Sequence, residues 1–293
     1  MWKLLKIELF KIFSRPRTFI AFAAIAAMIL VIQLGLKFDG KAYLQLMMAS
    51  LSDSFYIPYP MIMNGYLVAF IILNLLLIQI PLLVALVAGD IVSGEADMGT
   101  LRLLMTKPVS RTRFMLVKFS ASVVYTVALL IWMALLALFL SMLLFGTNDM
   151  LIARNNGMEQ IERADVFWRY IAAFAYATVA LSTVAALAFL LSVFASNSIG
   201  PIVATISIVI VLTLLSEMRI PIYDNTVKPW LFTSHMLAWK GFFYSKSNGE
   251  GAAIPGSIEN LPAILRSLGI LLGYITLFVT TAIWAFNKKD ILS

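Results

Sequence analysis

YIAAFAYATVALSTVAALAFLLSVFASNSIGPIVATISIVIVLTLLS, residues 170–216, runs for 47 positions without a charged side chain. An α-helix needs about 20 mostly apolar residues to cross a ~30 Å hydrocarbon core, so this stretch must cross, turn and cross again. Its weak point is Ser196-Asn197-Ser198-Ile199-Gly200-Pro201, small polar residues closed by Gly-Pro, which reads as the turn. Backbone amides in lipid must be satisfied internally, so open segments at this depth fold as helices.

Four more uncharged runs extend the pattern: Thr18–Leu36, Ser54–Gly89, Phe119–Asn148 and Ser267–Asn287. Five runs, one folded back, predict six spans at about 18–36, 62–88, 119–145, 170–194, 200–216 and 267–286. The chain has 293 residues, 61% of them apolar, and a mean hydropathy of +0.93, well outside the range of water-soluble domains. The expected fold class is an all-α polytopic membrane protein, with residues 1–293 as one transmembrane domain. The first run could pass for a signal-peptide core. It is too long for one, and so is the seventeen-residue lead before it.

Composition removes several chemistries. There is no cysteine, so disulfides, thiol nucleophiles and zinc–sulfur sites are excluded. A single histidine excludes most multi-ligand metal sites, and no metal or cofactor is expected on the chain. No GxxxxGK[ST] loop occurs, so the chain is not expected to hydrolyse nucleotide, and no catalytic residue is assigned. The predicted spans contain no Asp, Glu, Lys or Arg, which argues against a proton-driven carrier and an intramembrane carboxylate enzyme. Gln33, Asn74 and Gln79 read as helix–helix hydrogen-bonding groups, and Pro81 as a kink near the inner end of span two. Gly269 and Gly273 form a GxxxG pair in span six, a spacing too common to fix an oligomeric state.

Orientation follows from Lys and Arg. With both termini cytoplasmic, the inner segments hold Lys3, Lys6, Lys11, Arg15, Arg17, Arg102, Lys107, Arg111, Arg113, Lys118, Lys288 and Lys289. These are twelve of the 22 basic residues, and ten of the fifteen acids fall outside. The net charge of +7 is thus a topology signal and implies no nucleic acid partner.

Residues 1–17 read as an amphipathic helix in the membrane interface, with Trp2, Leu5, Leu9, Ile12 and Phe13 on one stripe and Lys3, Lys6 and Lys11 away from it. Pro16 separates it from span one. Within the outer segment 217–266, PWLFTSHMLAWKGFFY (Pro229–Tyr244) is aromatic but too short to span, and predicts an interfacial or re-entrant helix before span six. His235 there has no second ligand and reads as an ordinary interface histidine.

The insert 89–118, GDIVSGEADMGTLRLLMTKPVSRTRFMLVK, carries eight charges in a chain that is 13% charged. Ser93-Gly94 reads as a helix break, Asp97 as the N-cap of a short helix Met98–Thr106, Pro108 as its stop, and Ser110 as the cap of the helix entering span three. Leu101, Leu104 and Met105 would share one face, with Leu103 turned away. Basic residues satisfy the positive-inside rule in any case, so Glu95 and Asp97 are the informative ones.

The run GEADMGTLRLLMTKPVSRTRFMLVK resembles the cytoplasmic signature of the permease subunits of type-two ATP-binding-cassette (ABC) exporters, in the six-span group. The acidic pair corresponds to Glu95 and Asp97, Gly-Thr-Leu to Gly99, Thr100 and Leu101, and Pro-x-Ser-Arg to Pro108, Ser110 and Arg111. Asp97 stands where the group often has Glu. The ending Phe286-Asn287-Lys288-Lys289-Asp290-Ile291 is similar to that group's close, and Ser234-His235…Trp239 is similar more loosely. The resemblance implies a permease of a bacterial inner membrane, paired with a second copy or close relative. Two cytoplasmic ATPase subunits would bind ATP and magnesium. The insert would be the coupling helix, working through Glu95, Asp97, Gly99, Thr100, Leu101, Arg102, Leu104, Pro108, Ser110 and Arg111, with the helix bearing Trp2, Leu5, Leu9 and Phe13 nearby. A non-transporting anchor or sensor and a sodium-coupled carrier are the competing functions. The residues do not select a substrate.

Overall fold

A computed structural model of the chain describes residues 2–47, 63–76, 79–101, 109–154, 157–218, 226–246 and 254–289. Helix α1 (Trp2–Ser14) gives way at Arg15 to α2 (Pro16–Met47), so the break falls at Pro16 as expected. Proline has no amide hydrogen to give, which costs nothing at the first position of a helix. Helices α3 (Gly65–Leu75) and α4 (Gln79–Ala88) follow, then α5 (Ser93–Asp97) and α6 (Arg111–Phe145). A hairpin of β1 (Met150–Arg154) and β2 (Gly157–Ile161) leads to α7 (Arg163–Phe194), α8 (Ile199–Glu217), the short α9 (Phe232–Met236) and α10 (Leu261–Lys288).

Five helices are long and apolar enough to cross a membrane, or six if α3 and α4 form one span. The protein is an all-α multi-pass membrane protein. The 47-residue run divides as expected, α7 ending at Phe194 and α8 starting at Ile199, with Asn197 Oδ1 accepting from the Gly200 amide at 2.9 Å across the turn. Buried residues make up 67% of the apolar window of α7, against 17% for α10, so α7 is the axis on which the others pack.

The second span departs from expectation. It is two helices bent by 57°, with residues 77–78 between them outside the described set. Pro81 lies in the first turn of α4, so the expected kink in span two falls just before the proline and farther from the inner end than expected. Beside the bend is an apolar cavity of about 70 Å³ lined by Leu73, Leu76, Ile80, Pro81 and Trp239.

Close packing fixes the rest of the core. A Cβ at Gly65 would stand 2.5 Å from Met142 Cα, so only glycine lets α3 approach α6 there. Residues Leu135–Leu140 of α6 form a π-helical turn, a widening that loosens the backbone ladder. Gln33 of α2 donates to the Leu136 carbonyl in that turn at 2.9 Å and to Ser141 Oγ at 2.8 Å. Gln33 thus links two helices as expected, whereas among the described residues Asn74 bonds its own helix, to the Phe70 carbonyl. Gln79 Oε1 is buried without a hydrogen bond.

The strands were not foreseen, but they leave the class unchanged, since 83% of the structure is helical. Residues 226–246 form short turns of helix around α9 and pack on α7, α8 and α10. His235 has ordinary partners there: Nε2 faces the Pro229 carbonyl at 3.0 Å and Nδ1 faces Ser267 Oγ at 3.1 Å. A carbonyl only accepts, so in the neutral ring Nε2 carries the proton.

Arg169 of α7 has no exposed surface. Its guanidinium bonds Asp165 at 2.6 Å, the Phe242 carbonyl at 2.6 Å, the Ser257 carbonyl at 2.8 Å and Ser245 Oγ at 3.1 Å. One cation thereby holds both sides of the segment before α10. Truncation would leave buried acceptors without a donor. Arg169→Met should cost about 3 kcal/mol or more in unfolding titrations. It should also speed amide exchange in residues 226–246, whereas a loss of stability with unchanged exchange there would contradict this role.

Candidate functional site

The insert begins where α4 ends. Ser93 Oγ donates to the Gly89 carbonyl at 2.7 Å, and Ser192 Oγ of α7 accepts from the amides of Val92 and Ser93 at 3.1 and 2.8 Å. These bonds satisfy the free amides that start a helix. Ser93-Gly94 is therefore helical and not a break. A Cβ at Gly94 would stand 2.5 Å from Asp90 Oδ1, so glycine serves close approach at this point. Asp97 ends α5 and does not cap a following helix; the chain turns instead at Gly99, whose φ is +68°. Thr100 and Leu101 are helical again. Residues 102–108, with Arg102, Leu104 and Pro108, lie outside the described set.

Beneath this turn four charged side chains close a ring. Glu95 Oε1 lies 2.8 Å from Lys11 Nζ and 2.8 Å from Lys118 Nζ. Glu8 completes it, Oε1 at 3.2 Å from Lys11 and Oε2 at 2.9 Å from Lys118. Signs alternate, so the ring is neutral. Lys118 is only 1% exposed, and its three donors are all used, the third by the Ile91 carbonyl at 3.0 Å. The Phe114 ring lies 4.9 Å from the same ammonium. Next to the ring Asp90 pairs with both Arg15 and Arg17. Helix α1, the insert and the first turns of α6 are thus joined by charge.

Other expected residues fall into place around the ring. Glu95 is buried and turned inward, whereas Asp97 and Met98 are exposed, Met98 by 57%. Thr100 Oγ1 donates to the Glu95 carbonyl at 3.2 Å, and Leu101 is buried in the core. Ser110 caps α6 as expected, accepting from the Arg113 amide at 3.3 Å. Arg111 donates to the Asn287 and Lys289 carbonyls at 3.1 and 3.0 Å, bringing the end of α10 to the same place. On α1, Leu5, Leu9, Ile12 and Phe13 pack on the core. Trp2 does not; it is 66% exposed, with Lys6 Nζ 5.7 Å from its ring.

Glu8, Asp90 and Lys118 were not anticipated. Lys118 reads in sequence as one more inner cation beside the span boundary. Glu8 carried the available signal, as the only acid in α1 and one turn from the apolar stripe. Among the described residues no group of three or more His, Cys, Asp and Glu could hold a metal.

A family model matches residues 23–292 of the chain, described as a protein of unknown function, DUF2705. The chain belongs to the DUF2705 family. In this DUF2705 protein the match covers the insert and the spans from within the first one onward, and α1 and the first turns of α2 precede it. No curated protein matches the chain significantly.

The ring sets a pH window. Burial works to raise the Glu8 carboxyl, but Lys118 and then Lys11 hold it below the usual 4.5. Burial likewise works to lower Lys11, and Glu95 with Glu8 holds it above 10.5. A depressed carboxyl stabilises the fold above its unfolded pKa and loses that effect as pH falls through its folded one. A raised ammonium stabilises below its unfolded pKa and loses that effect as pH rises through its folded one. The docking of α1 should therefore be firm between these limits. The thermal midpoint of the solubilised protein should fall as pH drops below 4.5, and Glu8→Gln should shrink that fall. An identical acid limb in the variant would contradict the role of Glu8.

Proposed function

We propose that this DUF2705 protein is the permease subunit of an ABC exporter. It would form the membrane pathway and take its energy from ATP hydrolysis on separate subunits. The observation that carries this reading is a rigid base under an exposed tip. Asp97, Met98 and Gly99 stand out at the turn, while Glu95, Leu101 and Ser93 on either side are buried or bonded into the bundle. A force on such a tip is delivered to α4, α6 and α1 together, since packed and paired elements shift as units. The resemblance of residues 94–118 to the coupling signature of type-two exporters names the source of that force. The partners on this reading are two cytoplasmic ATPase subunits and a second permease copy or close relative. The site is the inner membrane of a bacterium, with both termini in the cytoplasm.

Because Glu95 is an internal ion-pair partner, the residues through which an ATPase would be felt are the exposed ones. Met98→Asp should leave the protein folded, since the side chain has little to lose. It should weaken co-purification of the ATPase subunit by about tenfold, the scale of one apolar contact residue at an interface. Substrate-stimulated ATP turnover in proteoliposomes should fall in step. Unchanged co-purification and turnover would overturn the assignment of this tip. Transport that persists after every ATPase is removed would favour the sodium-coupled carrier. Association without substrate-dependent turnover would favour an anchor or sensor.

A further inference from the structure

At the opposite end of the molecule from α1 is a second feature that the ring does not explain. The C-terminal end of α10 meets α6 through Arg111, so Arg266, some twenty residues earlier on α10, lies toward the far end. Arg266 is exposed and, among the described residues, has no hydrogen-bond or ion-pair partner. It heads a stripe on one face of α10, followed at helical spacing by Ile270, Gly273 and Leu277. Trp230 forms the other wall, held by the Tyr274 hydroxyl, which donates to its carbonyl. Between the walls runs an open groove of about 420 Å³. Gly273 is its floor: a Cβ there would meet nothing within 4 Å, so the space belongs to the groove.

The dimensions and the chemistry agree on one kind of occupant. Eleven residues of helix rise about 16 Å, close to the ~15 Å depth of one leaflet's hydrocarbon. The walls are apolar along that length, and the single charge is at the end. Trp230 is 76% exposed, and tryptophans of this kind favour the headgroup boundary. A guanidinium without a carboxylate partner is a fitted receptor for a phosphate, which it can bind through two parallel hydrogen bonds. We propose that the groove binds one anionic phospholipid, its phosphate on Arg266 and one acyl chain along Ile270, Gly273 and Leu277.

Native mass spectrometry of the full chain, titrated with phosphatidylglycerol in mild detergent, tests this. One lipid should be retained on the wild-type protein. Arg266→Gln removes an exposed cation with no partner among the described residues and should fold normally, yet it should lower retention about tenfold, the usual worth of a charge-assisted hydrogen bond. Gly273→Leu fills the groove into open space and should lower it comparably. Diacylglycerol, which has tails and no phosphate, should compete poorly. So should inorganic phosphate, which has no tail. Equal retention by Arg266→Gln, or equal competition by either fragment, would overturn the proposal. So would a Gly273→Leu variant that loses self-association while keeping the lipid, since the groove would then be filled by a second copy of the chain.

Discussion

Lys118 cannot be buried alone. Taking an ammonium out of water costs several kcal/mol even after relaxation, and only close opposite charge with every donor bonded offsets it. Glu8 and Glu95 supply the charge and Ile91 the last acceptor. Those two carboxylates are in turn buried, and Lys11 completes their balance. Each member of the ring is tolerable because the other three are present. The ring joins positions 84 and 110 residues apart in sequence. Everything at this end of the molecule follows from that requirement: the inward turn of Glu95, the seating of α1 on α6, and the exposure of the chain just beyond, from Asp97 to Gly99.

Rigidity at the base makes the tip useful. A loop tethered only by its ends would absorb a push from a partner by bending. Here α5 is bonded to α7 through Ser192, α6 to the end of α10 through Arg111, and α1 to both by charge. A displacement of the tip must move packed helices or break buried ion pairs. Far from it, Arg169 gives the other end of the bundle a similar anchor, with one cation bonded to three residues on two separate stretches of chain. The bend between α3 and α4, with its apolar cavity, lies between these two anchored ends.

Much of this was legible in the sequence, for reasons that can be named. Long uncharged runs fix spans because lipid leaves the backbone no alternative to helix, and the turn at Asn197–Gly200, the break at Pro16 and the cap at Ser110 are local chemistry. Gln33 was legible as a link between helices because a buried amide needs a partner. What escaped depends on distant partners. Ser93-Gly94 reads as a break until Ser192, a hundred residues on, satisfies its amides. Lys118 and Arg169 each sit one residue outside the predicted spans and look like boundary charges, since nothing local reveals that their acceptors come from other helices. Pro81 signalled a kink in span two but not its place, and the hairpin and the π-helical turn are backbone events that hydropathy averages away. Within the candidate site, the position of the insert was readable, and the inward role of Glu95 was not.

The rigid base requires Glu95 and Lys118 to act as partners and not as separate surface charges. A double-mutant cycle measures that directly. The unfolding free energies of Glu95→Gln, Lys118→Met and the double variant would be compared with wild type at neutral pH. We predict a coupling energy of about 1–3 kcal/mol, with the double variant more stable than the sum of the single losses requires. Additive losses, with coupling near zero, would contradict the ring and the rigid base built upon it.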